Sequence, residues 1–144
     1  MKIIIYARNI TRLDGVGNSV RYFNSVLKKN YDVLLVAFHS DIEGVIKFDD
    51  YLKIHSDSNI LIYHFSIFDL NQERLLNLNF NSRILYYHGI TDPILFESNN
   101  NISIECSKGL DQIEKLCDFD LYFANSSYSK NQFKKRLINN GEIN

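Results

Sequence analysis

Lys2-Ile3-Ile4-Ile5-Tyr6-Ala7-Arg8-Asn9, followed by Asp14-Gly15-Val16-Gly17-Asn18, is the stretch on which the reading of this chain turns. Six residues from Lys2 to Ala7 are apolar after the first and rich in branched and aromatic side chains, with no polar alternation. A strand that is apolar on both sides must be covered on both sides, which is the mark of a parallel sheet flanked by helices. The glycine-bearing turn then leads into Val16, Val20, Phe23 and Leu27, a stripe at helical spacing. Similar apolar runs recur at Asp32 to Phe38, Asn59 to Tyr63, Arg83 to Tyr87 and Phe119 to Ala124. A second helical stripe runs through Cys106, Leu110, Ile113 and Cys117, with further helices expected over Leu70 to Leu78 and Ser126 to Leu137. Gly44 to Ile54 reads either way. Strand and helix in alternation predict right-handed crossovers and an α/β, doubly wound, mostly parallel Rossmann-like sheet.

The bulk properties set bounds on this picture. At 144 residues the chain is one domain long, enough to bury roughly 70% of its unfolded surface. A net charge of -1 gives no overall attraction to nucleic acid. The apolar start is broken by Arg8 and Asn9 too early for a signal peptide, and no run approaches the roughly 20 apolar residues of a membrane span. Cys106 and Cys117, eleven positions apart on one expected helix, would stand about 16 Å apart, too far to bridge. Both are expected to be reduced core residues, as suits a cytoplasmic protein. The sequence is read as one domain over 1–138, with 139–144 as the start of a connection to a domain that is absent.

Chemistry in an open parallel sheet is sought just beyond the carboxyl ends of the strands. Arg8, His39, His64, His88 and Asn125-Ser126 fall there. Exposed strand ends tolerate polar residues, so His39 and His64 are read equally well as surface. His88 is singled out by the Gly89 that follows and by the polar stretch from Gly89 to Ser103, which holds the sole proline, Pro93. Asp14-Gly15-Val16-Gly17-Asn18 offers backbone N–H groups at a helix start, where an anion can be held. It lacks the third glycine of the dinucleotide pattern, since Val20 stands there, and a plain helix start capped by Asp14 is the alternative. Asp118-Phe119-Asp120 enters a strand instead of leaving one, which places it at the wrong edge for a metal. Glu97 and Glu105 have an E-x7-E spacing in the wrong part of the fold. Lys130, Lys134, Lys135 and Arg136 make the last helix basic, either as solvated surface or as a face for anionic lipid.

Four stretches together carry a resemblance. They are Asp14-Gly15-Val16-Gly17-Asn18, then Leu61-Ile62-Tyr63-His64-Phe65, then Arg83-Ile84-Leu85-Tyr86-Tyr87-His88-Gly89-Ile90-Thr91-Asp92-Pro93, and Asp120-Leu121-Tyr122-Phe123-Ala124-Asn125-Ser126-Ser127-Tyr128-Ser129-Lys130. In this order the chain resembles the N-terminal, acceptor-side domain of glycosyltransferase family 4, the retaining GT-B enzymes. Many members have two consecutive glycines where Asp14 and Gly15 stand. The resemblance implies transfer of a sugar from a nucleotide-sugar donor to a cell-surface glycan, glycolipid or protein acceptor, as in polysaccharide biosynthesis. It implies no metal and no cofactor beyond the nucleotide-sugar substrate. Gly15, Val16, Gly17, Asn125 and Ser126 would face the donor diphosphate and sugar, His88 would be the catalytic-site histidine, and His64, Arg8 and Tyr87 would lie on the acceptor side. The donor half of such an enzyme would be a second domain, so this chain alone is expected to be inactive. Its expected place is the cytoplasm, with any membrane contact peripheral and at the inner face.

Two other classes fit parts of the sequence. One is an NAD- or FAD-binding module, against which His39-Ser40 stand where an acidic residue would hold the adenine ribose, Asp41 coming only afterwards. The other is a truncated, non-catalytic interaction domain.

Overall fold

In the computed structural model, which describes residues 1–97 and 100–138, six strands form one sheet in the order β3-β2-β1-β4-β5-β6. They are β1 (Ile3–Ile10), β2 (Val33–Ser40), β3 (Ile46–Lys47), β4 (Ile60–Phe65), β5 (Ser82–Tyr87) and β6 (Leu121–Ala124), and every pairing between neighbours is parallel. The helices are α1 (Gly15–Leu27), α2 (Phe48–Tyr51), α3 (Gln72–Leu76), α4 (Asn101–Gln112) and α5 (Ser127–Ile138). This is the doubly wound Rossmann-like α/β arrangement that the strand patterns predict. Residues 139–144, read as a connection, lie outside the described residues.

Alternate side chains along each strand enter two separate cores. Ile3, Ile5, Ala7 and Ile10 of β1 join Leu35, Ala37 and Ile62 under the Val16, Val20, Phe23 and Leu27 stripe of α1. Ile4 and Tyr6 face the other way, into a larger aromatic core with Tyr63, Phe65, Leu85, Tyr87, Leu110 and Phe133. Tyr6, Tyr63 and Tyr87 are fully buried, and a buried hydroxyl needs a partner. Tyr6 and Tyr63 both donate to the Asp69 carboxylate, at 3.1 and 2.8 Å, and burial raises the Asp69 pKa despite the four N–H, O–H and guanidinium groups that oppose it. Asp69 thus pins the β4–α3 connection to the centre of the sheet.

Three expectations change. Cys106 and Cys117 do not share a helix: α4 ends at Gln112, a 3-10 turn covers Ile113–Lys115, and the chain leaves the core, so Cys106 is buried but Cys117 is exposed. Gly44 to Ile54 resolves into both readings, the short β3 followed by α2. The described part of the stretch from Gly89 to Ser103 is less irregular than its composition suggests, because Asp92 caps a 3-10 turn at Pro93–Leu95 and Asn100 caps α4.

Candidate functional site

The sheet order places β1 beside β4, with consecutive strands running outward from that pair in both directions. Such a reversal leaves a crevice outside the carboxyl ends of the two strands. A small cavity of about 200 Å3 opens there, lined by Arg8, Asn9, Thr11, Asp14, His39 and Ser66 among others. Arg8 and His39 sit within strands instead of after them, because β1 and β2 stay paired as far as Asn9 with His39 and Ile10 with Ser40. Arg8 is held at one wall by two 2.7 Å bonds, from Nη1 to the Phe68 carbonyl and from Nη2 to Glu105. Its Nε is buried without a partner among the described residues. The bond from Arg8 holds the Glu105 carboxyl below its usual range. Glu105 is a residue of α4, and its bond ties that helix to the end of β1.

Across the cleft, the start of α1 is already occupied by its own chain. Asp14 accepts from Gly17 N–H at 2.8 Å through one oxygen, and from the Thr11 hydroxyl at 2.6 Å and Thr11 N–H at 3.3 Å through the other. Burial raises the Asp14 pKa, but these bonds together with one from Val16 N–H outweigh it and leave the carboxyl below its ordinary value. A carboxylate in this position takes the N–H groups and the helix-dipole field that a phosphate would use. Gly17 is required by packing, since a Cβ there would meet the Thr11 carbonyl oxygen at 2.0 Å. Gly15 is exposed and a Cβ on it would touch nothing. Of the N–H groups of Gly15, Val16 and Gly17, the latter two bond Asp14.

At the same edge of the sheet, but outside the lining of this cavity, lies the corner after β5. His88 follows that strand directly, its N–H bonded to the Phe65 carbonyl at 2.9 Å. Gly89 turns with φ of 82°, in the left-handed region, and a Cβ would lie 2.5 Å from the Ser129 hydroxyl. The turn is knitted to α5 by side chains. Asn125 Nδ2 donates to the His88 carbonyl at 2.9 Å, Ser129 Oγ donates to Asn125 Oδ1 at 2.7 Å, and Gln132 brackets Ile90 with bonds to its N–H and carbonyl of 3.0 and 2.8 Å. Ser126 caps α5 by accepting from Ser129 N–H at 3.1 Å, the role its sequence position predicts.

His88 does not stand alone. Its Nε2 lies 2.9 Å from Nδ1 of His64. His64 was expected at the rim, but β4 stays paired through it to Ala7 and Tyr86, and the ring is 1% exposed. It stacks on Tyr86 and meets Phe23 of α1 edge to face. Burial drives the pKa of His64 down to about 3, with a smaller push from His88. Burial likewise lowers His88 to about 4, opposed by the negative charge of Asp14 nearby. Both rings are therefore neutral at neutral pH.

The structure brings Arg8, His39, Asp14, Val16 and Ser66 together around the cleft, with His64 and His88 paired at the adjoining strand ends. Tyr87 is turned to the other face, where its hydroxyl donates to Gln132 and its ring packs on Phe133. Ser126 lines a separate, mainly apolar groove of about 680 Å3 between β6 and α5, with Tyr122, Phe123, Lys130, Phe133 and Lys134 among its walls. Asp120 lies at the opposite edge, bonded to Ser82 and to Arg83 N–H, and Asp118 pairs loosely with Arg83. Among the described residues no cluster of three His, Cys, Asp or Glu could hold a metal, and no helix is long and apolar enough to cross a membrane. Two contributions went unread in the sequence: the spacing of Glu105 with Glu97 says nothing of its bond to Arg8, 97 positions away, and Thr11 is an unremarkable loop residue until its carbonyl is seen against Gly17. His64 carried a signal, its position at a strand end, but not one that told a partner ring from a surface residue.

Compared with known proteins, the chain matches no family model, no curated protein and no solved structure.

Proposed function

We propose that this chain is the acceptor-side, N-terminal domain of a retaining, GT-B type glycosyltransferase of family 4 character. It would receive a cell-surface glycan, glycolipid or protein acceptor, while a second domain would bring the nucleotide-sugar donor. The observation that carries this reading is the convergence of the paired His64 and His88 with Arg8 and the α1 start at one end of an all-parallel sheet. A sugar offers hydroxyl groups and its departing phosphate offers negative charge, and neutral imidazoles and an arginine at the same end of the sheet suit both through hydrogen bonding and fixed electrostatics. His88 has the role of a positioning group for the sugar or the developing charge. The exposed lysines of α5 favour a cytoplasmic domain that touches an anionic membrane surface peripherally.

Titrating the labelled protein with oligosaccharide or glycolipid acceptors, and separately with UDP- and GDP-sugars, tests the reading. Acceptor-induced shifts in amide resonances around Arg8, Ser66 and His88, with no turnover by this chain alone, are the expected result. Sugar transfer by the isolated chain, or shifts confined to another part of the sheet, would count against it.

The strand order is also that of dinucleotide-binding domains, which keeps a second reading in play, a module for NAD or FAD. The Asp14 carboxylate over the α1 start weighs against it, because the pyrophosphate would have to share that place with an anion. Micromolar binding of NAD or FAD in the same titration would reverse the preference.

A further inference from the structure

The His64–His88 contact joins two nitrogens 2.9 Å apart, so one of them must carry a proton and the other a lone pair. Which one decides what His88 can offer a ligand. The deciding atom is at the far side of His64: its Nε2 is sealed from solvent and has no hydrogen-bond partner among the described residues. If His88 donated, His64 would carry its own proton on Nε2, as an orphaned buried N–H. The ring is packed against Phe23 and Tyr86, and an aromatic ring is at most a weak acceptor for an N–H. Orphaned buried donors are rarer in proteins than under-used acceptors. The arrangement that leaves Nε2 bare puts the proton on His64 Nδ1.

From this we infer that His64 donates from Nδ1 to His88 Nε2 and so fixes His88 in the tautomer protonated on Nδ1, presenting His88 as a hydrogen-bond donor instead of a base. His88 Nδ1 makes no hydrogen bond within the described residues, and it is not sealed as His64 Nε2 is. What His88 recognises is then an oxygen lone pair, from a sugar hydroxyl or from a phosphate. His64 acts through His88 and is a positioning residue. The tautomer stands on the geometry alone, whereas its use on a sugar or phosphate oxygen rests on the reading of the cleft proposed above.

Long-range 1H–15N correlation spectra of the 15N-labelled protein near neutral pH test the inference directly. Both His64 and His88 should show a protonated Nδ1 and a bare Nε2; a proton on Nε2 of either ring overturns it. His64→Phe keeps a buried aromatic ring but removes the donor, and should leave His88 as a mixture of tautomers. His88 remaining wholly Nδ1-protonated in that variant would remove His64 as the cause. Adding inorganic phosphate in one arm and a neutral disaccharide in another identifies the source of the oxygen, since the matching arm should move the His88 Nδ1 resonance. Movement in neither arm removes the ligand-facing half of the inference. If the tautomers are as stated but acceptors and nucleotide-sugars leave the cleft unshifted, the glycosyltransferase reading fails and the tautomer assignment remains.

Discussion

The turn after β1 and the turn after β5 stand at the same edge of the sheet, each with a glycine and each leading toward a helix, yet they are built to different ends. In the first, Gly17 lets α1 pack against the Thr11 carbonyl, and Asp14 fills the helix start with a charge supplied by the chain itself. In the second, Gly89 supplies a left-handed turn, Asn125 from the β6–α5 connection and Ser129 and Gln132 from α5 hold the backbone, and the His88 ring is left with a nitrogen that nothing in the described residues uses. A glycine turn at a strand end is thus not by itself a ligand site. What separates the two corners is whether the chain has already satisfied its own polar groups.

The largest effect is expected at Gly17. Replacing it with alanine forces a Cβ against a backbone oxygen that cannot step aside, and should cost about 3 kcal/mol or more in urea denaturation. A cost near zero would show that the Thr11 loop is not fixed. Next comes acid. His64 titrates near 6.5 when unfolded but only near 3 in the fold, so below pH 6.5 the unfolded chain binds more protons and stability falls as pH falls. For this buried ring the loss should reach about 2 kcal/mol by pH 5, with a smaller share from the better-solvated His88. Asp14 works in a lower window, because its carboxyl is depressed in the fold: its contribution is present above the ordinary carboxylate value and is lost as pH falls from there through the lower value it has in the fold. Denaturation midpoints followed from pH 7 to pH 3 should therefore show the histidine corner weakening first, and His64→Phe should flatten the upper part of that curve.

Smaller changes sharpen the contrast further. Gly89→Ala must adopt a positive φ and press on the Ser129 hydroxyl, with an expected cost of about 2 kcal/mol. Adding Ser129→Ala should not recover the whole loss, since the backbone strain stays; full recovery would mean that the clash alone mattered. Asp14→Ala removes the cap of α1 and should cost about 1 to 2 kcal/mol by the same measurement. Gly15→Ala meets no atom and should be neutral or stabilise the protein by up to about 1 kcal/mol. A large loss at Gly15 would erase the distinction between its open position and the packed one at Gly17.

The unbroken apolar runs at Ile3 to Ala7 and Asp32 to Phe38 were sufficient to place those segments inside a parallel sheet, because a residue covered on both faces leaves no room for polar alternation. The α1 stripe and the capping place of Ser126 were legible for the same reason: they are set by neighbours a few positions away. Strand ends were less so. His64 reads as the residue after a strand, yet pairing with β1 and β5 carries β4 past it and buries the ring. Cys117 reads as a continuation of the Cys106 stripe, yet the chain turns after Gln112. In the sequence Asp14 and the glycines could equally have capped a helix or cradled an anion, and the choice was made only once the loop closed on itself and Thr11 met Asp14 and Gly17.

Local pattern alone determined that this protein would be alternating strands and helices with histidines and an arginine toward one edge, since periodicity and capping depend on contacts between near neighbours. Strand order, the meeting of Arg8 with Glu105, the seating of His64 against His88 and the turning of Tyr87 to the opposite face were decided by the tertiary structure. Those contacts join residues 24 to 97 positions apart, and no local preference records which distant partner a polar group will find when the sheet buries it.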